Sequence, residues 1–133
     1  MAEKMKIKIV APEKIFYEGD TTFLELTTTE GDIGVYPKHI PITAVIAPGI
    51  LKIHQENEVK EAALLSGFIE ILQEEVNILA ESVEWPDEID MNRAEEAKIR
   101  AERRMQSADP IDLHRAELAL KRSLIRLSVG KSG

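Results

Sequence analysis

The feature that most constrains this chain is a change of texture at Trp85-Pro86. Before it, apolar residues recur with period two in short runs separated by Gly, Pro and Asn. After it come Ala, Glu, Arg, Met and Lys with few β-branched residues. Period two is the signature of a strand with one buried face, whereas the second composition favours helix. Proline also disfavours helical geometry in the residue before it, so Trp85-Pro86 is read as a boundary between units at 1–85 and 86–133.

In the first unit, Lys6-Ile7-Lys8-Ile9-Val10 alternates as a half-buried strand does. Similar runs predict strands over 22–28, 33–36, 41–46, 50–54, 59–65, 68–72 and 76–80. Gly31-Asp32, Pro48-Gly49, Glu56-Asn57 and Ser66-Gly67 stand between them as turn residues. About eight to ten short strands at this spacing predict an antiparallel β-sandwich.

In the second unit, Asp90 is placed as the N-cap of a helix over 90–107, with Ile89 and Ala94 as a small hydrophobic staple. Asp109-Pro110 supplies the cap and first position of a second helix, with Asp112 in its electropositive first turn. Gly130 is expected to end that helix near Val129. A connection over 107–109 predicts an antiparallel hairpin. The fold class is therefore α+β, an N-terminal antiparallel β-sandwich followed by a C-terminal two-helix hairpin. A hairpin of this size buries too little to be firmly stable alone, so it needs a partner, a ligand or both.

Charge divides along the same line. Residues 1–88 hold 7 Lys and Arg against 17 Asp and Glu, while 89–133 hold 10 against 7. An acidic front half argues against nucleic acid, which is bound by basic patches, and directs any polyanion to the helices. The longest apolar stretches fall far short of the ~20 residues that cross a bilayer. With no apolar signal core and no cysteine, a cytosolic setting is expected.

On the first helix Arg93, Ala97, Arg100 and Arg104 share one face, and on the second Arg115, Ala119, Arg122 and Arg126 repeat the arrangement. If the hairpin closed with these stripes facing, the like charges would repel unless a polyanion such as a triphosphate took bidentate hydrogen bonds from the guanidinium groups. Equally, arginines on helices are commonly solvated and paired with Glu one turn away, and Glu96 with Arg100 and Glu117 with Lys121 have that spacing. The six-residue echo Ile89-Asp90-Met91-Asn92-Arg93-Ala94 and Ile111-Asp112-Leu113-His114-Arg115-Ala116 is explained by helix-start chemistry used twice. Helix two also carries a broad apolar set around Leu113, Leu118, Leu120, Leu124 and Leu127, either hairpin core or a surface for another chain or the sandwich. Gly130-Lys131-Ser132 is not a P-loop, because Ile125 stands where the earlier glycine belongs. His39, His54 and His114 are dispersed, and no nucleophile, base or metal set is found.

Gly31-Asp32-Ile33-Gly34-Val35-Tyr36-Pro37-Lys38-His39-Ile40-Pro41-Ile42, Pro48-Gly49-Ile50-Leu51 and Ser66-Gly67-Phe68-Ile69-Glu70 resemble the sandwich segments of the epsilon-subunit family of bacterial F-type ATP synthases. Arg115-Ala116-Glu117-Leu118-Ala119-Leu120-Lys121-Arg122 and Arg126-Leu127 resemble its second helix. The resemblance implies a non-catalytic rotor subunit, peripheral on the cytoplasmic face of the membrane and touching the membrane only through its complex. Its implied partners are the gamma subunit, the c-ring, and the alpha and beta subunits. It implies helices that block ATP hydrolysis when extended and release it when folded down. In the ATP-binding, bacillus-like members, the motif opening the first helix corresponds to Ile89, Asp90, Arg93 and Ala94, with further nucleotide contacts at Glu84, Arg100, Arg122 and Arg126. ATP, with or without magnesium, would be bound there and not cleaved: Arg100, Arg122 and Arg126 on phosphate, Glu84, Ile89, Asp90 and Ala94 at the base and ribose end. Trp85-Pro86 and Pro110 depart from the family pattern and would stiffen the hinge. The alternative is a stand-alone ATP-sensing adaptor; a small nucleotide hydrolase is a further rival.

Overall fold

A computed structural model describes residues 3–107 and 109–132. The chain forms two compact units, 1–83 and 84–133. The first unit is built from strands β1 (Met5–Ala11), β2 (Lys14–Thr21), β3 (Phe23–Thr28), β4 (Gly31–Val35), β5 (Ile42–Ile46), β6 (Gly49–His54), β7 (Val59–Ile71) and β8 (Glu75–Glu84).

The strands follow the order β2-β1-β8-β7-β5-β3-β4, with β6 bridging β3 and β7. That bridge folds the sheet back on itself into two layers. Alternation decides what lies between them: Met5, Ile7 and Ile9 of β1 are buried while Lys6 and Lys8 are exposed, and Leu24 and Leu26, Leu51 and Ile53, and Val76 and Ile78 repeat the rule. Antiparallel pairing is the expected pattern, and one pair departs from it. β1 and β8 run parallel, with Ile7 opposite Val76 and Ile9 opposite Ile78.

Two further departures have local causes. β2 escapes a period-two reading because it is an edge strand in which only Phe16 and Thr21 are buried. A register shift at Ile9/Val10 also blurs its pairing with β1. Ser66-Gly67, expected as a turn between two strands, lies inside the single strand β7. There the chain passes from β6, where Gly49 pairs with Leu64, to β5, where Ile46 pairs with Gly67. Gly67 has φ +136, and a Cβ there would strike the Leu79 carbonyl oxygen and crowd the Ala80 Cα at 2.9 Å. The glycine signal was genuine; what it marks is a bend and a close backbone approach.

The second unit contains a short 3-10 turn (Pro86–Glu88) and helices α1 (Met91–Ser107) and α2 (Pro110–Ser132). Glu88 returns to accept from the Trp85 backbone N–H at 2.8 Å. Asp90 caps α1, its Oδ1 accepting from Arg93 N–H at 3.1 Å, and Asp109 caps α2 by accepting from Asp112 N–H at 3.0 Å. The expected end of α2 at Gly130 is not observed, since the helix continues to Ser132. Gly130 answers a packing need instead: a Cβ there would collide with the Met91 sulfur.

Candidate functional site

Small side chains form a column along each helix of the hairpin, joined on α2 by the buried Leu127 and Val129. Ala94 and Ala101 are buried on α1, Ala116 and Ser123 on α2, each pair seven residues apart and so on one face. Gly130 continues the α2 column by another seven. The Ser123 hydroxyl satisfies itself by donating to the Ala119 carbonyl at 2.9 Å, so it enters the seam at little cost. The motif alanines Ala94 and Ala116 both lie in these columns, although the echo is not a structural repeat: Asp90 caps its helix whereas Asp112 lies inside α2.

The arginine stripes therefore do not fill the seam between the helices. Arg93, Arg100 and Arg104 on α1 and Arg115 and Arg122 on α2 are exposed, with Ala97 and Ala119 half-buried. The reason is steric: a close helix approach admits methyl groups and a hydroxyl, and excludes guanidinium groups. Among the described residues the expected Glu96–Arg100 and Glu117–Lys121 pairs do not form, and Lys98–Glu95 forms at 3.8 Å. The Ile111 side chain lies outside the described residues. Arg104 and Arg115 come together beside Ser107 and Asp112 around a cavity of about 350 Å³.

Arg126 is half-buried, and its Nε donates to Glu84 Oε1 at 2.5 Å. Among the eight residues expected at a nucleotide site, Glu84 and Arg126 are thus brought into contact. Asp90 binds the backbone of Arg93, Ile89 and Ala94 are buried, and Arg93, Arg100 and Arg122 open to solvent. Glu84, expected at the base end, and Arg126, expected at the phosphate end, form one charge-assisted pair in this structure.

A second surface was not read from the sequence. On the outer face of the sandwich, Val45 of β5 lies opposite Phe68 of β7. Counting back from the Leu72 N–H to Glu75 carbonyl bond puts Phe68 opposite Leu79 of β8, which faces Val10 of β1, which in turn faces Ile15 of β2. Val45, Phe68, Leu79 and Ile15 are each 46–58% exposed. Five adjacent strands thus present one apolar row to the outside, where soluble surfaces ordinarily scatter such residues. The signal was present in apolar residues at outward parity, yet only strand register lines them up. Nearby in sequence, Lys38 adopts φ 66 and its N–H donates to the Gln73 carbonyl at 2.8 Å. The turn leaves Ile40 75% exposed.

Fold and surfaces together define a protein of two units, a well-packed sandwich with an exposed apolar row and a charged helical hairpin. The family described as ATP synthase, Delta/Epsilon chain, beta-sandwich domain matches residues 4–86, and that described as ATP synthase, Delta/Epsilon chain, long alpha-helix domain matches residues 87–131. The chain belongs to this family of non-catalytic ATP synthase subunits. It is 45% identical to the ATP synthase epsilon chain of Clostridium novyi over 97% of this chain and 99% of that one. It is 40% identical to that of Halalkalibacterium halodurans over 94% and 96%. In three dimensions it is similar to a chain in the structure of the Euglena gracilis mitochondrial ATP synthase, OSCP/F1/c-ring, with TM-score 0.81, 22% identity, and coverage of 94% of this chain and 79% of that one. That last likeness concerns the fold. Among the described residues no helix is long and apolar enough to cross a membrane.

Proposed function

We propose that this chain is a rotor subunit of an F-type ATP synthase that links the gamma subunit to the c-ring and restrains ATP hydrolysis through its helical unit. The observation that carries the reading is the match of both units, in order, to the delta/epsilon chain family. The apolar row Val45-Phe68-Leu79-Val10-Ile15 supports docking to gamma, because exposed apolar surface on a well-packed sheet is stabilised by being covered. The helices reach toward the alpha and beta subunits in this reading. The chain would lie on the cytoplasmic face of the membrane, held there by its complex. Phe68→Glu should leave the chain folded but abolish its co-purification with the ATPase; retained assembly would count against this docking face.

For the helical unit the reading is an ATP sensor, in which nucleotide, with or without magnesium, binds the folded hairpin without being cleaved. Arg126 already grips a carboxylate at 2.5 Å, so its donor geometry suits a phosphate oxygen. Arg100 and Arg122 supply exposed guanidinium groups from the two helices, and Arg93 a third, while Ile89, Asp90 and Ala94 shape the opposite end of the site. ATP at ten times its dissociation constant would stabilise the hairpin by about 1.4 kcal/mol, enough to move a balanced equilibrium tenfold. In calorimetric titration of the purified chain, Arg122→Ala with Arg126→Ala should abolish binding, and unchanged affinity would remove the phosphate clamp. A stand-alone ATP-sensing adaptor would bind ATP equally but would not co-purify with a multi-subunit ATPase.

A further inference from the structure

We infer that the contact between Met91 and Gly130 is the latch that closes the hairpin. Three observations carry this. Gly130 sits within the last turn of α2 and not beyond it, so it does not act as the glycine that ends the helix. The space a side chain would take there is filled by the Met91 thioether: a Cβ on Gly130 would collide with its sulfur and stand 3.3 Å from its Cε and 3.5 Å from its Cγ. Finally, the two residues are at the open end of the hairpin, Met91 the first residue of α1 and Gly130 two residues before the last of α2. A contact at that end resists separation of the helices with the greatest leverage, whereas one near the connecting turn is held by chain continuity.

Met91 works as the knob because a thioether side chain is unbranched and fills an irregular notch without a polar group to satisfy. Gly130 works as the hole because it alone leaves the notch open without displacing the thioether. The inference rests on the proposed opening and closing of the hairpin, and it names the pair that sets the balance. Helix propensity and notch packing predict opposite outcomes for a substitution at Gly130. A better helix former strengthens α2 whether the hairpin is open or closed, while a bulkier side chain penalises the closed state alone.

Because the sequence has no cysteine, Glu96→Cys and Lys121→Cys on exposed positions of the two helices can carry a spin-label pair on the full chain. Measured without nucleotide, the parent should show a short interhelical distance. Met91 can swing aside to clear one methyl group, so the decisive variant is Gly130→Leu, which should shift the population toward the long distance by about tenfold or more. Met91→Ala in that background should recover most of the closed population by emptying the space the leucine needs. A Gly130→Leu chain as closed as the parent, or a double variant no more closed than Gly130→Leu alone, overturns the latch. ATP titration of the labelled parent reads the sensor separately: a nucleotide-insensitive distance would sink that reading and leave the latch standing.

Discussion

The two units bury different chemistry. In the sandwich the largest fully buried side chains are Ile7, Ile9, Leu24, Val35, Leu51, Ile53, Leu64, Leu65, Ile69, Ile71, Val76 and Ile78, branched aliphatics from six strands. In the two helices the buried side chains are mostly small, Ala94, Ala101, Ala116 and Ser123, with Leu127 and Val129 the larger members near the end of α2. A buried Leu or Ile removes far more apolar area from water than an Ala does, at about 25 cal/mol per Å². The sandwich therefore stabilises itself, while the hairpin gains close approach with much less hydrophobic free energy, most of it from Leu127 and Val129. A unit built that way is suited to being opened, and this is the physical basis for assigning docking to one region and switching to the other.

The comparison can be broken most sharply in the sandwich core. Ile69→Ala should destabilise the first unit by about 2–5 kcal/mol in denaturant unfolding, since Ile69 is wholly buried and leaves a cavity. A loss below 1 kcal/mol would mean the core is looser than its packing indicates. Gly67→Ala should cost somewhat less, about 2–3 kcal/mol, through its φ of +136 and the crowding against β8. Wild-type stability in that variant would show that the bend in β7 relaxes freely.

How much of this was legible beforehand differs by element. Strands such as β1 and β3 were readable because inward and outward positions alternate cleanly. β2 was not, because an edge strand with two buried residues lacks the alternation that marks its neighbours. Caps at Asp90 and Asp109 were readable because a side chain bonding three residues ahead is a local event. The Glu84–Arg126 pair spans 42 residues and carries no local sign.

Smaller effects sharpen the hairpin side. Ala101→Leu places a large side chain in the seam and should cost about 1–3 kcal/mol, seen as faster proteolysis within 84–133 while the sandwich melts unchanged. Were the sandwich transition to move equally, the two units would be one cooperative block. Asp90→Ala removes the cap of α1 and should cost about 1 kcal/mol, read as a loss of far-ultraviolet helical signal. Full helicity in that variant would show that the 3-10 turn alone holds the start of α1.

The residues in order were enough to show a change from strand to helix near Trp85-Pro86, about eight to ten strands in a sandwich, two capped helices, and the acidic and basic halves, while the compact units divide at 83/84. Each of these depends on interactions within a few residues, or on a periodicity that any half-buried strand or helix must show. Tertiary structure alone decided that β7 runs unbroken through Gly67, that Gly130 lies under Met91 inside α2, and that methyl groups instead of arginines line the hairpin seam. It also aligned five outward apolar residues into one row. These depend on strand register and on how closely two backbones approach. Both are set by side chains far apart in the chain, so no local pattern records them.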